Sequence, residues 1–203
     1  MTQCHKRRFY LPKDTFYNLE KEKKDRITEV LTKEFSDKAF ADVNIKTIVE
    51  NLSIARGSFY QYFENLYDSY FYILDNKTYD IHLLFMQTLK KNNGDISLCL
   101  DDFGYEIADI IFDDSCYNLY KNRFLHWNEY LEENRIKNHQ DYNKVFDKAK
   151  EMGVDLEKVN FFRAVVHALI QRNFREKWDK DLFIEKYKIH IKWIKEGIFN
   201  ASR

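Results

Sequence analysis

Arg56-Gly57-Ser58-Phe59-Tyr60-Gln61-Tyr62-Phe63 is the stretch whose side chains are best equipped to act on a partner. Phe59 and Phe63 sit four residues apart, so on a helix they share one face and anchor it. That directs Arg56, Ser58, Tyr60, Gln61 and Tyr62 to other faces, where a short helix covers little core. The chemistry these groups offer is that of nucleic-acid recognition. A guanidinium pairs with a phosphate or a guanine edge, and a glutamine amide matches adenine in a bidentate pair. The hydroxyls of Ser58 and Tyr60 can donate to phosphates or bases. Gly57 lets the start of the helix approach a phosphate closely. From these residue types alone a second reading stays open, that of polar side chains exposed beside a core.

Such a helix needs others to hold it. Upstream, Ile27, Val30, Leu31, Glu34 and Phe35 follow helical spacing, and Lys38-Ala39-Phe40-Ala41-Asp42 breaks the pattern. Asn44 is a fitting N-cap for a short helix over residues 45–51, with Ile45, Ile48, Val49 and Leu52 turned inward. Ser53-Ile54-Ala55 then reads as a tight turn. A helix, a second short helix, a turn and the Arg56 helix are the parts of a helix-turn-helix. Asn65 caps what the spacing predicts to be one long helix from Leu66 to about Lys91, ended by Asn92-Asn93-Gly94.

The stretch from Ile27 to Tyr70 resembles the N-terminal domain of the tetracycline-repressor family. The resemblance rests on Ile27, Leu31 and Phe35, the Lys38-Ala39-Phe40 break, Ile45-Lys46-Thr47-Ile48-Val49, and Arg56 through Asn65. It implies an all-α protein: an N-terminal three-helix helix-turn-helix domain, joined by a long fourth helix to a helical ligand-binding and dimerisation domain. On that plan residues 1–20 are a basic arm and lead-in, 21–80 the DNA-binding domain, and 81–203 the ligand-binding and dimerisation domain. Thr47 matches a family position that meets a phosphate. Arg56, Gly57, Ser58, Tyr60, Gln61 and Tyr62 match the DNA-facing positions of the recognition helix. Asn44 and Lys46 complete the expected DNA-binding set. Three positions depart from the pattern: Ser53 replaces the usual turn glycine, Ala55 the usual N-cap serine, and Leu66 the usual phosphate-holding lysine.

Beyond Gly94 the pattern predicts further helices: Asp95 to about Phe112, about 115–138 with a break near Tyr120, about 140–152, one capped by Asp155, and a last one after Asp179-Lys180-Asp181. The resemblance implies that the last two (about 155–199) pair with their copies in a homodimer. A dimer suits a palindromic double-stranded DNA operator, because recognition helices entering successive major grooves stand about 34–36 Å apart. It also implies a small organic effector, with Tyr105, His126, Trp127, Tyr130, Arg163 and His167 in the region where a pocket would lie. At helical spacing such residues serve equally as core.

The totals bound the rest. The 203 residues contain 33 Lys plus Arg and 33 Asp plus Glu, so the formal net charge is zero, which argues against a non-specific nucleic-acid coat. Charge is nonetheless uneven, with Lys6, Arg7, Arg8 and Lys13 at the start. That arm fits either a groove contact or a solvated terminus. Three scattered cysteines form no disulfide framework or zinc motif, which fits a reducing cytoplasm. No membrane span or cofactor motif is expected. Neither GxSxG, GxGxxG, a P-loop nor HExxH occurs, and Asp101-Asp102, Asp113-Asp114 and Glu132-Glu133 are adjacent pairs that point about 100° apart on a helix. An enzyme is therefore not expected. The regulator expected is a repressor released by its effector. The alternative is a helical interaction protein that has lost operator binding.

Overall fold

Five glycines and one proline leave few chain breaks in 203 residues, and what forms between them is helix. The computed structural model describes residues 12–138, 153 and 155–198. Among these the regular structure is helical, α-helices and one short 3-10 turn over Phe40–Asp42, with no strand. In order, the helices are α1 (Asp14–Tyr17), α2 (Lys21–Asp37), α3 (Ile45–Leu52), α4 (Arg56–Tyr62), α5 (Leu66–Lys77), α6 (Ile81–Lys91), α7 (Ile96–Ile111), α8 (Tyr117–His126), α9 (Glu129–Asn138), α10 (Leu156–Glu176) and α11 (Lys180–Ile198). The helix expected over about 140–152 lies outside the described residues, as does most of the basic arm.

The caps read from sequence are in place. Asn44 accepts from the Thr47 N–H, Asn65 from Asp68, Asp95 from Leu98 and Asp155 from Glu157. Each satisfies an amide that has no partner inside its helix. Two expected helices are each broken in two. The helix predicted over 66–91 stops at Lys77, because Thr78 turns its hydroxyl back to the Leu74 carbonyl and Asp80 caps a new helix through the His82 and Leu83 amides. The helix predicted over 115–138 breaks at Trp127-Asn128 rather than at Tyr120. Asn128 accepts from the Leu131 N–H at 3.0 Å and starts α9, whereas Tyr120 is fully buried inside α8.

By contacts the described chain forms two compact units, one of residues 12–78 with 126–138, the other of 79–125 with the described residues from 153 onward. The division expected from sequence keeps residues 81–203 together. Residues 126–138 join the first unit because α9 packs on α5: Leu131 is buried, Trp127 lies against Phe71 at 6.3 Å, and Arg135 pairs with Asp75 at 2.7 Å.

The first unit is built on Ile27, Leu31, Phe35, Ile48, Phe59, Phe63 and Phe71, all nearly inaccessible. Its one buried glutamate is satisfied on both oxygens: Glu34 accepts from Asn51 at 3.0 Å and from Lys38 at 2.7 Å, which ties α2 to the end of α3. In the second unit α7 packs on α6 and α11, and α10 on α11. Gly104 is needed there, since a Cβ would stand 2.3 Å from the Tyr187 ring. The Tyr187 hydroxyl donates to the Leu100 carbonyl at 2.7 Å and fixes that close approach.

Candidate nucleic-acid interface

The turn between α3 and α4 has Ser53 in the left-handed region, φ 54°. A glycine holds this geometry at lower cost, and serine takes it here with some strain. The Ser53 amide closes on Glu50 and the Ile54 amide on Val49, which ends α3 and redirects the chain. Ala55 offers no side-chain cap to α4, a loss of about 1 kcal/mol relative to serine or aspartate. α4 is therefore held by packing and by its far end.

Packing fixes its inner face. Phe59 and Phe63 are 1% and 0% exposed, 5.4 Å apart between ring centroids. Phe16, from α1, sits 5.3 Å from Phe63. The far end is fastened by the segment just before and within α1. The Lys13 N–H donates to the Tyr62 carbonyl at 2.7 Å, Lys13 Nζ to the Tyr60 carbonyl at 2.9 Å, and the Thr15 hydroxyl to the Gln61 carbonyl. Lys13 also pairs with Glu64 at 2.7 Å. The three carbonyls of the last turn, which have no partner within so short a helix, are thus satisfied from outside. Sequence reasoning missed Lys13, Thr15 and Phe16 in this role. The signal was there in part, as Phe16, Tyr17 and Leu19 form a short apolar group between charged residues.

With the inner face held, Arg56, Gly57, Tyr60 and Gln61 are exposed and Ser58 is half-buried. Tyr62 is the correction. Expected to face a partner, it is 5% exposed, its ring edge-on to Phe16 at 6.3 Å and beneath Lys23 Nζ at 5.8 Å. It lies three residues after Phe59, so it falls on the anchoring face with Phe59 and Phe63.

Gly57 has no internal explanation. A Cβ added there meets nothing within 4 Å, and its backbone is not in the left-handed region. A glycine inside a helix costs about 1 kcal/mol against alanine, so the absent side chain serves something outside the chain or nothing. On α3, Lys46 is exposed with Glu50 at 3.9 Å, Thr47 is half-buried, and the Asn44 side-chain oxygen Oδ1 is taken up by the Thr47 amide and hydroxyl. Leu66, in place of a basic residue, brings no charge to the start of α5. Next to it, Asp68 accepts from the Glu64 N–H with one oxygen, while its other oxygen is buried without a hydrogen bond. Burial, set against that one amide, pushes its carboxyl up to about 6.

The residues considered for an effector pocket are divided between the two units. Tyr105 is exposed on α7, with Lys188 over its ring at 4.9 Å. His126, Trp127 and Tyr130 belong to the first unit. Arg163 and His167 line one cavity in the second unit, and Tyr105 lines a different, more polar one there. Among the described residues no group of His, Cys, Asp and Glu is placed to hold a metal ion, and no helix is long and apolar enough to cross a membrane.

Residues 96–197, half of the chain's length, match the family model of the tetracyclin repressor, C-terminal domain. A crystal structure of a TetR family transcriptional regulator from Chloroflexus aurantiacus J-10-FL shares the fold, with a TM-score of 0.52 at 22% identity over 92% of this chain and 98% of that one. A search of curated proteins finds no match. The family-model match begins after the helix-turn-helix, in the half whose sequence carried no resemblance of its own.

Proposed function

The chain belongs to the tetracycline-repressor family, and from that premise we propose that it is a DNA-binding transcriptional regulator that acts as a dimer on a near-palindromic operator and is released by a small organic effector. One observation carries the DNA reading. α4 is pinned on one face by Phe59, Tyr62 and Phe63, and it presents Arg56, Gly57, Tyr60 and Gln61 outward with a glycine that the interior does not require. In this reading Arg56 and Tyr60 meet phosphates, Gln61 reads a base edge, and Lys46, Thr47 and Ser58 hold the backbone nearby.

Pairing through α10 and α11 is supported by two large apolar side chains left in solvent on those helices, Phe161 at 49% and Trp193 at 62% exposed. Buried in a second copy, each contributes about 1.5–3 kcal/mol. Effector release requires a difference in the effector's affinity for the two states. A 100-fold drop in operator affinity corresponds to about 2.7 kcal/mol of coupling.

A gel-shift with DNA from upstream of the protein's own reading frame tests the proposal. A discrete complex that resists an excess of unrelated DNA is expected. Equal competition by both DNAs contradicts sequence-specific regulation.

A further inference from the structure

The second unit contains a narrow cleft with about 460 Å³ of empty space, its open mouth included, bordered by α6, α7 and α10. Phe85, Phe103 and Phe162 meet in one wall, with ring centroids 5.3–5.8 Å apart. Ile81, Met86 and Val159 continue the apolar lining. The surface left open to a guest is almost wholly apolar. Water, which needs several polar partners, gains little there, whereas hydrocarbon gains contact with ring and aliphatic carbon.

Among the described residues three polar side chains share the lining, His82, Arg163 and His167, and none of them holds an unpaired charge toward a guest. His167 is neutral: burial above all, then His82, Arg123 and Arg163, disfavour its imidazolium, and its pKa falls to about 3. His82 Nδ1 stands 3.5 Å from the Asp80 carboxylate. Burial works to raise the pKa of Asp80, but hydrogen bonds from His82 and the Leu83 N–H outweigh it and keep the carboxylate ionised, so that its charge is met locally. Arg163 has a partner of its own. A guest of either charge would give up its hydration here and find no counter-ion in exchange, which is unfavourable in apolar surroundings. An uncharged guest bears no such cost, and a mostly apolar slot with few polar groups is the usual form of a small-molecule site.

We propose that this cleft binds an uncharged, largely hydrocarbon molecule, seated against Phe85, Phe103 and Phe162. Binding is independent of any action on DNA. Only its use as the releasing signal rests on the proposed function.

The test is calorimetric titration of the full-length protein, without DNA and at neutral pH, with three probes of similar size: 4-ethylbenzyl alcohol, 4-ethylbenzoate and 4-ethylbenzylamine. The alcohol should bind at one per chain, and the carboxylate and the ammonium each at least about ten-fold more weakly. In methyl-labelled protein the bound alcohol should show nuclear Overhauser contacts with Ile81, Met86 and Val159. Val159→Phe, which puts a larger side chain into the lining, should weaken the alcohol at least about ten-fold. If that variant does not fold, the Overhauser contacts locate the site without it. Equal affinity for the alcohol and either charged probe, binding of none of the three, or contacts confined to other methyl groups overturns the assignment. Because no DNA is present, that failure is distinct from a failure to bind an operator.

Discussion

Lys13 Nζ donates to the Tyr60 carbonyl at 2.9 Å, across 47 residues of chain. The same residue gives its backbone N–H to Tyr62, and Thr15 gives its hydroxyl to Gln61. A helix of seven residues with no N-terminal side-chain cap has little stability of its own. Its geometry is imposed by three aromatic anchors and by this C-terminal fastening from the lead-in segment.

Loosening the fastening should weaken DNA binding without removing a DNA contact. The neutral Thr15 bond contributes about 1 kcal/mol net, and solvent screening holds the exposed, charged Lys13 bond to a similar amount. Lys13→Met combined with Thr15→Val should speed amide exchange in α4 and weaken DNA binding several-fold, with the salt dependence unchanged. A salt slope smaller by about one unit would instead make Lys13 a phosphate contact.

Gly57 separates fold from function. Gly57→Ala has space for its methyl and an ordinary helical backbone. It should stabilise the protein by up to about 1 kcal/mol, read as a higher Tm, while DNA binding weakens. Unchanged DNA affinity would mean that no backbone approaches there.

Arg56 and Gln61 should differ in kind. Gln61→Ala should relax base preference at one operator position at a cost of roughly 1–3 kcal/mol, measured by binding-site selection. Arg56→Ala should weaken binding to all sequences and reduce the salt slope by about one unit, measured by titration from low to moderate salt. An unaltered selection profile or an unaltered slope removes the corresponding residue from the interface.

Asp68 predicts a pH dependence of opposite sign to that of an ion-paired carboxylate. Its folded pKa of about 6 lies above the ordinary 3.8, so the folded state favours the protonated form. The associated stability is complete below about pH 4 and is lost as pH rises through 6, up to about 3 kcal/mol. Asp68→Asn keeps an acceptor for the Glu64 N–H and cannot ionise. Denaturant midpoints from pH 4 to 8 should show a smaller fall in the variant, and greater stability than the unaltered protein at pH 8. Parallel curves would contradict the raised pKa.

Local signals carried much of this structure and tertiary ones did not. Asn44, Asn65, Asp95 and Asp155 cap the helices that their sequence positions indicate, because an N-cap is chemistry within three residues. The breaks at Thr78-Tyr79-Asp80 and Trp127-Asn128 were missed. Apolar periodicity runs on through them, and only the side-chain bonds of Thr78, Asp80 and Asn128 mark them. Tyr62 was misplaced because its amphipathic ring fits either face, and the outcome depends on Phe16, distant in sequence. Arg163 and His167 share a cavity with His82, a neighbour that helical periodicity does not reveal.

In the proposed function, α4 reads DNA from a two-fold dimer. Selection of bound duplexes from random DNA by the purified full-length protein tests it most directly. A consensus of two inverted half-sites spaced by about one helical turn or a multiple of it is expected. Recovery of no enriched sequence, or of a single half-site without symmetry, would contradict it.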